Sequence, residues 1–392
     1  MPKRSLMIAV VLVAVVIILS VGWAFMNRPD TEAAEEQTGD AAQNLPPGEG
    51  VIQQDNGPGE DQAKKDAVVE SALATVPARM EILGYYTVDF PGDDLAAASY
   101  ARHNDLIDLL VPFRYRLRAD GRLQCGGFDA VNLAERYRGQ AMALVHNFGR
   151  TGFDGDVVGT VLADARVRER ALGNLVQTVK EGGYVGLNLD LEQIPPRFRD
   201  YYTEFVADLH GLLKSQGLLL YVVVPGKTHD ERRNTWSGAF DYAALAQNCD
   251  ALVIMAYDEH WAGGSAGPIA SLGWVRAVAA YAVQKAGADK ILLGIAAYGY
   301  DWGDGPMAEM ISASEAVRRA ARTGAEINWD AAVASPKYRY WRDGVRHQVY
   351  FENKHSTIPK LDLVRELGLR GIAIWRLGYE DPGIWAEIAA RR

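Results

Sequence analysis

Three polar side chains stand two residues apart in the stretch G-L-N-L-D-L-E-Q-I-P-P, residues 186–196: Asn188, Asp190 and Glu192, with Leu187, Leu189 and Leu191 between them. A strict period of two is a strand with one apolar and one polar face, and side chains two apart follow each other at roughly 6.5–7 Å. Two carboxyl groups that close, in an enclosed site, raise each other's proton affinity, so one of them can stay protonated near neutral pH. That suits acid catalysis, with the outermost residue, Glu192, as proton donor. The same pattern also fits a plain strand end whose carboxylates cap loops or pair with a neighbour such as Arg197. Spacing alone leaves both open. The seven histidines form no H-x-x-x-H or H-E-x-x-H pattern, so neither a dedicated metal site nor a cofactor is expected.

Such a strand needs a scaffold, and the chain supplies a repeating one. Short apolar runs occur at 82–88, 109–115, 141–148, 184–192, 218–225, 251–258, 291–298 and 371–377, separated by longer helical patterns such as 167–181 and 200–215. Most steps match one strand plus one helix, and eight such units predict a (β/α)8 TIM barrel, an α/β fold. A doubly wound open sheet is the alternative, but no G-x-G-x-x-G follows the first strand. In a barrel, Asn188, Asp190 and Glu192 point inward and climb toward the mouth while the leucines pack on the helices. The last two strands are farther apart than the rest. The sequence between them, with Asp343-Gly344 flanked by aromatic alternating runs, predicts a small α+β insertion over 301–360 containing a hairpin. Growing from the active-site end of the barrel, it would wall a cleft.

The catalytic barrel is expected over 79–392. Ahead of it, Leu6 to Met26 is a nearly unbroken apolar run behind Lys3 and Arg4, long enough to cross a bilayer and without a clean A-x-A site. Residues 1–26 therefore read as an uncleaved signal anchor and transmembrane segment, placing the rest outside the cytoplasm. Residues 27–78 carry 11 acidic against 3 basic side chains and no hydrophobic period, and read as a disordered acidic linker. This linker holds most of the net charge of −9, so the body is near neutral and nothing marks a nucleic-acid binder. Cys125 and Cys249 lack a C-x-x-C spacing; a disulfide and two free thiols are both open. A monomer is expected.

The strand motif does not stand alone, and together with two others it resembles glycoside hydrolase family 18, the chitinase-like barrels. The family's D-G-x-D-x-D-x-E aligns with V-G-L-N-L-D-L-E at 185–192, its M-x-Y-D with M-A-Y-D at 255–258, and its last-strand tryptophan with Trp375 in G-I-A-I-W-R-L. The N-x-D-x-E form followed by Q-I-P-P is similar to the spore-cortex-lytic N-acetylglucosaminidase branch, and G-Y-Y at 84–86 and the insertion fit as well. The resemblance implies a retaining, substrate-assisted glycosidase. On that pattern Glu192 protonates the glycosidic oxygen, Asp190 holds the acetamido N–H, Tyr257 donates to the acetamido oxygen, and Trp375 lies beneath the sugar. The implied substrate is an N-acetylglucosamine-containing polysaccharide with β-1,4 bonds, of peptidoglycan or chitin type. The family's first two aspartates are replaced by Val185 and Asn188. Asn188 can hydrogen-bond Asp190 but cannot take up a proton, which predicts a modulated pH profile.

Sugars also need aromatic platforms, because their C–H faces stack on rings. Tyr85, Phe148, Trp261, Tyr298 and Trp302 are candidates at strand ends beside Trp375, though a buried aromatic is usually core. Asp258 and Asn147 stand where hydroxyls would bind, and Lys227 and Glu259 are weaker candidates. A different class of function, non-hydrolytic glycan binding on the same fold, is disfavoured because Glu192 is retained.

Overall fold

The structure is a computed structural model, and it describes residues 79–126, 141–150 and 152–392. The expected membrane anchor at 1–26 and linker at 27–78 lie outside the described residues. Among the described residues no helix is long and apolar enough to cross a membrane.

Fourteen strands are present among the described residues. They are β1 (Glu81–Tyr86), β2 (Leu109–Leu117), β3 (Leu123–Cys125), β4 (Met142–His146), β5 (Gly186–Asp190), β6 (Leu219–Pro225) and β7 (Ala251–Met255). The chain continues with β8 (Ile291–Ala296), β9 (Tyr298–Trp302), β10 (Glu309–Ser312), β11 (Asn328–Asp330), β12 (Ser335–Arg342), β13 (Val345–Phe351) and β14 (Gly371–Trp375). Eight of them, β1, β2, β4 to β8 and β14, run parallel in one sheet that closes on itself, because β1 pairs with both β14 and β2. This is the (β/α)8 barrel. β3 adds an antiparallel edge to the outer end of β2.

Alternation along the strands produces two cores. Leu83, Val111, Leu144, Val223, Val253 and Leu292 fill the barrel interior. Leu187, Leu189, Val222, Leu252 and Leu293 face outward onto helices such as Ala165–Glu181 and Arg199–Lys214. The first of these helices starts where Asp164 accepts hydrogen bonds from the N–H groups of Arg166 and Val167, an N-cap that separates it from the preceding helix, Gly155–Ala163.

Between β8 and β14 the chain builds a second, five-stranded antiparallel sheet, in the order β10-β9-β13-β12-β11. The helix Ala313–Thr323 covers one face of it, over Tyr338, Tyr340, Val349 and Phe351. Asp343 and Gly344, both at positive φ (53° and 80°), form the two-residue turn between β12 and β13. The sheet begins at Tyr298, three residues before the expected boundary, so Tyr298 and Trp302 belong to the lobe and not to a barrel strand. Cys125 and Cys249 are both free, one exposed and one buried.

Candidate active site

The inward row of β5 ends at the barrel mouth. Asn188, Asp190 and Glu192 are all buried, with Glu192 just past the end of the strand. Asp190 and Glu192 open onto a cleft of about 500 Å³, whose lining also includes Tyr85, Tyr257, Asp258, Trp261 and Trp375, while Asn188 lies beneath it. With Lys227 and Glu259, nine of the side chains singled out from the sequence share one cavity. Trp375 forms its floor, held edge-on by Tyr85 (ring centroids 5.3 Å apart) and Phe113 (5.9 Å).

Burial without partners dominates the electrostatics. Desolvation raises the Asp190 carboxyl to about 7. Glu192 is pushed well above the usual carboxylate range, first by burial and then by Asp190 and Asp258. The two are close enough to titrate as a pair, so the pair retains a proton near neutrality. Asp258 rises to about 6 through burial, opposed by hydrogen bonds from the Tyr298 hydroxyl (2.5 Å) and the Tyr300 hydroxyl (3.0 Å) to its Oδ1. Tyr257 stays a neutral phenol, because burial and then neighbours including Tyr85, Asp190 and Glu192 raise it. On the inward row of β5, two buried polar atoms have no hydrogen-bond partner among the described residues: Asp190 Oδ1 and Asn188 Nδ2. Leaving such buried groups unmatched costs roughly 1–3 kcal/mol each unless a ligand completes them.

The backbone around the site is constrained. Gln193 and Asp258 are non-glycine residues at positive φ (54° and 59°), each directly following a candidate catalytic residue. The start of the helix Gly155–Ala163 passes so close to Gln193 that a Cβ on Gly155 would lie 2.0 Å from the Gln193 carbonyl oxygen. Only glycine fits there.

Asn147 requires a correction. It does not line the cleft. Its Oδ1 accepts from the Glu192 N–H (2.9 Å), and its Nδ2 donates to the Glu192 carbonyl (2.8 Å) and the Asp154 carbonyl (3.0 Å). With both Nδ2 hydrogens and one Oδ1 lone pair committed to backbone, and the residue buried away from the cleft, Asn147 positions Glu192 and does not face a sugar. Tyr298 does not line the cleft but holds Asp258 and packs edge-on against Tyr257, and Trp302 is buried beside Tyr300 and Tyr350 in the lobe. Phe148 packs edge-on against Phe153, which lines the cleft in its place. Lys227 and Glu259 do line it, but Lys227 is bonded to Asp230 and the Phe240 carbonyl, and Glu259 to Ser271. Sequence reasoning missed His146, Tyr300, Trp236 and Trp274. The first two could have been found by carrying the period of two along their strands; the tryptophans lie outside strands and give no such signal.

The model of the glycosyl hydrolases family 18 matches residues 135–380, the span that carries β4 to β14 and the whole inward row. The chain belongs to glycoside hydrolase family 18. As a family 18 member it is a glycosidase, and its relatives agree. The cortical fragment-lytic enzyme of Bacillus anthracis is 30% identical over 290 residues, covering 72% of this chain and 67% of that protein. The spore cortex-lytic enzyme SleL of Bacillus megaterium superposes with a TM-score of 0.74 at 28% identity, over 80% of this chain and 74% of that one. A chitinase from Chromobacterium violaceum gives a TM-score of 0.72 at 30% identity, over 80% and 98%.

Proposed function

We propose that this family 18 protein cleaves β-1,4 bonds beside N-acetylglucosamine, with retention, using the substrate's own acetamido oxygen as nucleophile. One observation carries the reading. Asp190 Oδ1 is a buried acceptor without a donor, in the cleft that also holds Glu192 and Tyr257. An acetamido N–H is the donor that would complete it.

Glu192, protonated, gives its proton to the glycosidic oxygen as the bond from that oxygen to the anomeric carbon breaks. The acetamido oxygen closes on the anomeric carbon to form an oxazolinium ion, whose N–H is held by Asp190 and whose positive charge its carboxylate offsets. Tyr257, as a neutral phenol, donates to the acetamido oxygen and aligns it. Glu192, now a carboxylate, takes a proton from water, which attacks the anomeric carbon and reopens the ring. Two displacements at one carbon give net retention. Trp375 offers its face to the sugar's C–H bonds.

The relatives, two named for cortex lysis and one a chitinase, support peptidoglycan or chitin-type glycans as the substrate class. The apolar run at 6–26 and the acidic stretch behind it support a membrane-tethered enzyme facing its substrate outside the cytoplasm. Proton NMR of the first product released from an N-acetylglucosamine oligomer tests the chemistry. The β-anomer is expected first, and initial accumulation of the α-anomer would overturn the mechanism.

A further inference from the structure

Peptidoglycan and chitin differ at the sugar next to N-acetylglucosamine. In peptidoglycan that sugar carries a lactyl acid, free or linked to peptide; in chitin it is uncharged. A cleft that separates them needs a cation beside the catalytic row.

β2 supplies one through a break in its alternation. Phe113 pairs with Leu144 and faces inward, so a regular strand would turn Tyr115 inward and Arg116 outward. The register slips by one residue between Phe113 and Tyr115, and Tyr115 pairs instead with Val145 and Arg116 with His146. A bulge of this kind re-aims every side chain beyond it. Tyr115 now packs on the outer core, and Arg116 joins the inward row. His146 is itself in register with Asp190, so the barrel mouth reads Arg116, His146, Asp190 across three neighbouring strands. Neither Arg116 nor His146 lines the cleft itself. At about 4.8 Å per strand, Arg116 stands about 10 Å from Asp190, just beyond the lining and within reach of a substituent on the neighbouring sugar.

The guanidinium of Arg116 has no carboxylate partner among the described residues. It is half-buried, its Nε is shielded from solvent without a hydrogen-bond partner, and it makes no ion pair among the described residues. Its Nη2 lies against the loop after β4, where a Cβ on Gly149 would meet it at 3.3 Å. The residue between it and Asp190 does not neutralise it. His146 is stacked flat on Phe113 (4.1 Å, 10°) and accepts the Phe148 N–H on Nδ1 (3.0 Å). Burial and then Arg116 lower its pKa to about 3, so it is a neutral spacer at working pH. Arg199 and Arg376 likewise leave Nε without a partner, but they and Arg319 are each bonded to carboxylates, and it is the missing carboxylate that sets Arg116 apart.

We propose that Arg116 binds a carboxylate at the rim of the cleft, selecting glycans whose sugar next to the bound N-acetylglucosamine carries an acidic substituent. This rests on the glycosidase reading above. The carboxylate would be the lactyl acid itself or one on an attached peptide, and a planar guanidinium pairs bidentately with either.

The test compares three substrates of the full-length protein: an N-acetylglucosamine oligomer, peptidoglycan strands stripped of peptide by an amidase, and strands with peptides intact. Arg116→Gln is expected to raise KM for acid-bearing strands about tenfold relative to the uncharged oligomer, with kcat little changed, and Arg116→Lys to recover part of the loss. An effect on stripped strands assigns the lactyl acid; one confined to intact strands assigns a peptide carboxylate. Equal changes for all substrates, or none, overturn the proposal, as does a wild type that cleaves only the uncharged oligomer. A second arm needs no variant. Added salt should raise the wild-type KM for the favoured strands and leave that for the oligomer unmoved, and a matching salt response would contradict the assignment. A wild type that releases no reducing ends from any substrate would instead defeat the glycosidase reading.

Discussion

Asp190 and Asp301 are both buried aspartates on strands, at 6% and 3% exposure, and the protein treats them oppositely. Asp301, on β9 of the lobe, accepts hydrogen bonds on Oδ2 from Arg319 and Tyr340 and on Oδ1 from His347 (2.8 Å). Arg319 in turn binds Glu309 and Glu315. That carboxylate is neutralised and saturated, and it holds the lobe's sheet to its helix. Asp190 has no cation beside it and keeps Oδ1 without a partner. Burial is thus no guide to role; satisfaction is. Of these two aspartates, the saturated one belongs to the scaffold, and the one with neither cation nor donor is held ready for a ligand.

The comparison can be broken in four ways. The largest expected effect is from Glu192→Gln, which removes the proton donor and should lower hydrolysis of a chromogenic N-acetylglucosaminide oligomer by roughly 10³-fold or more. Retained activity would sink the assignment. Next, Asp190→Asn should cut kcat by roughly 10²-fold while stabilising the fold at alkaline pH. The sign follows from the raised carboxyl. The folded protein holds the Asp190 proton up to about 7 and the unfolded chain only to near 3.8, so the stability it contributes is complete below 3.8 and lost as pH rises through about 7. The variant escapes that loss. Its unfolding midpoint should exceed the wild type's at pH 8 and lose the advantage at pH 4; an advantage independent of pH would be a contradiction.

Asp301→Ala should do the reverse, lowering stability by about 3 kcal/mol in denaturant unfolding while kcat of the folded protein changes far less. If it lost activity without losing stability, the lobe would not be scaffold. The smallest effect is from Asn188→Asp. Two carboxyls sharing a proton split their titrations, so the pH–rate profile should broaden by about one unit. An unchanged profile would mean that position 188 does not modulate Asp190.

The barrel was legible because its signals are local. Eight apolar runs, evenly stepped except for the long interval before the last, survive in the structure to within a few residues at their ends. The row Asn188, Asp190, Glu192 was legible for the same reason, since β5 keeps its period of two without interruption. Asn147 was misread because a sequence places a side chain on a strand end but does not say whether its amide turns to the cavity or to a neighbour's backbone. Arg116 was invisible because a bulge reverses inside and outside beyond it, and no residue type in R-Y-R-L signals one. Tyr300 and its hold on Asp258 depend on where the lobe folds back, which is a long-range fact.

The central claim is that the Asp190–Glu192 pair keeps a proton at neutral pH. Carbon-13 carboxyl NMR of the wild type, with signals assigned by comparison with Asp190→Asn and Glu192→Gln, measures this directly. The structure predicts a first ionisation of the pair near pH 7 and a second above it. Two carboxyls that both ionise in the ordinary range near pH 4 would contradict it.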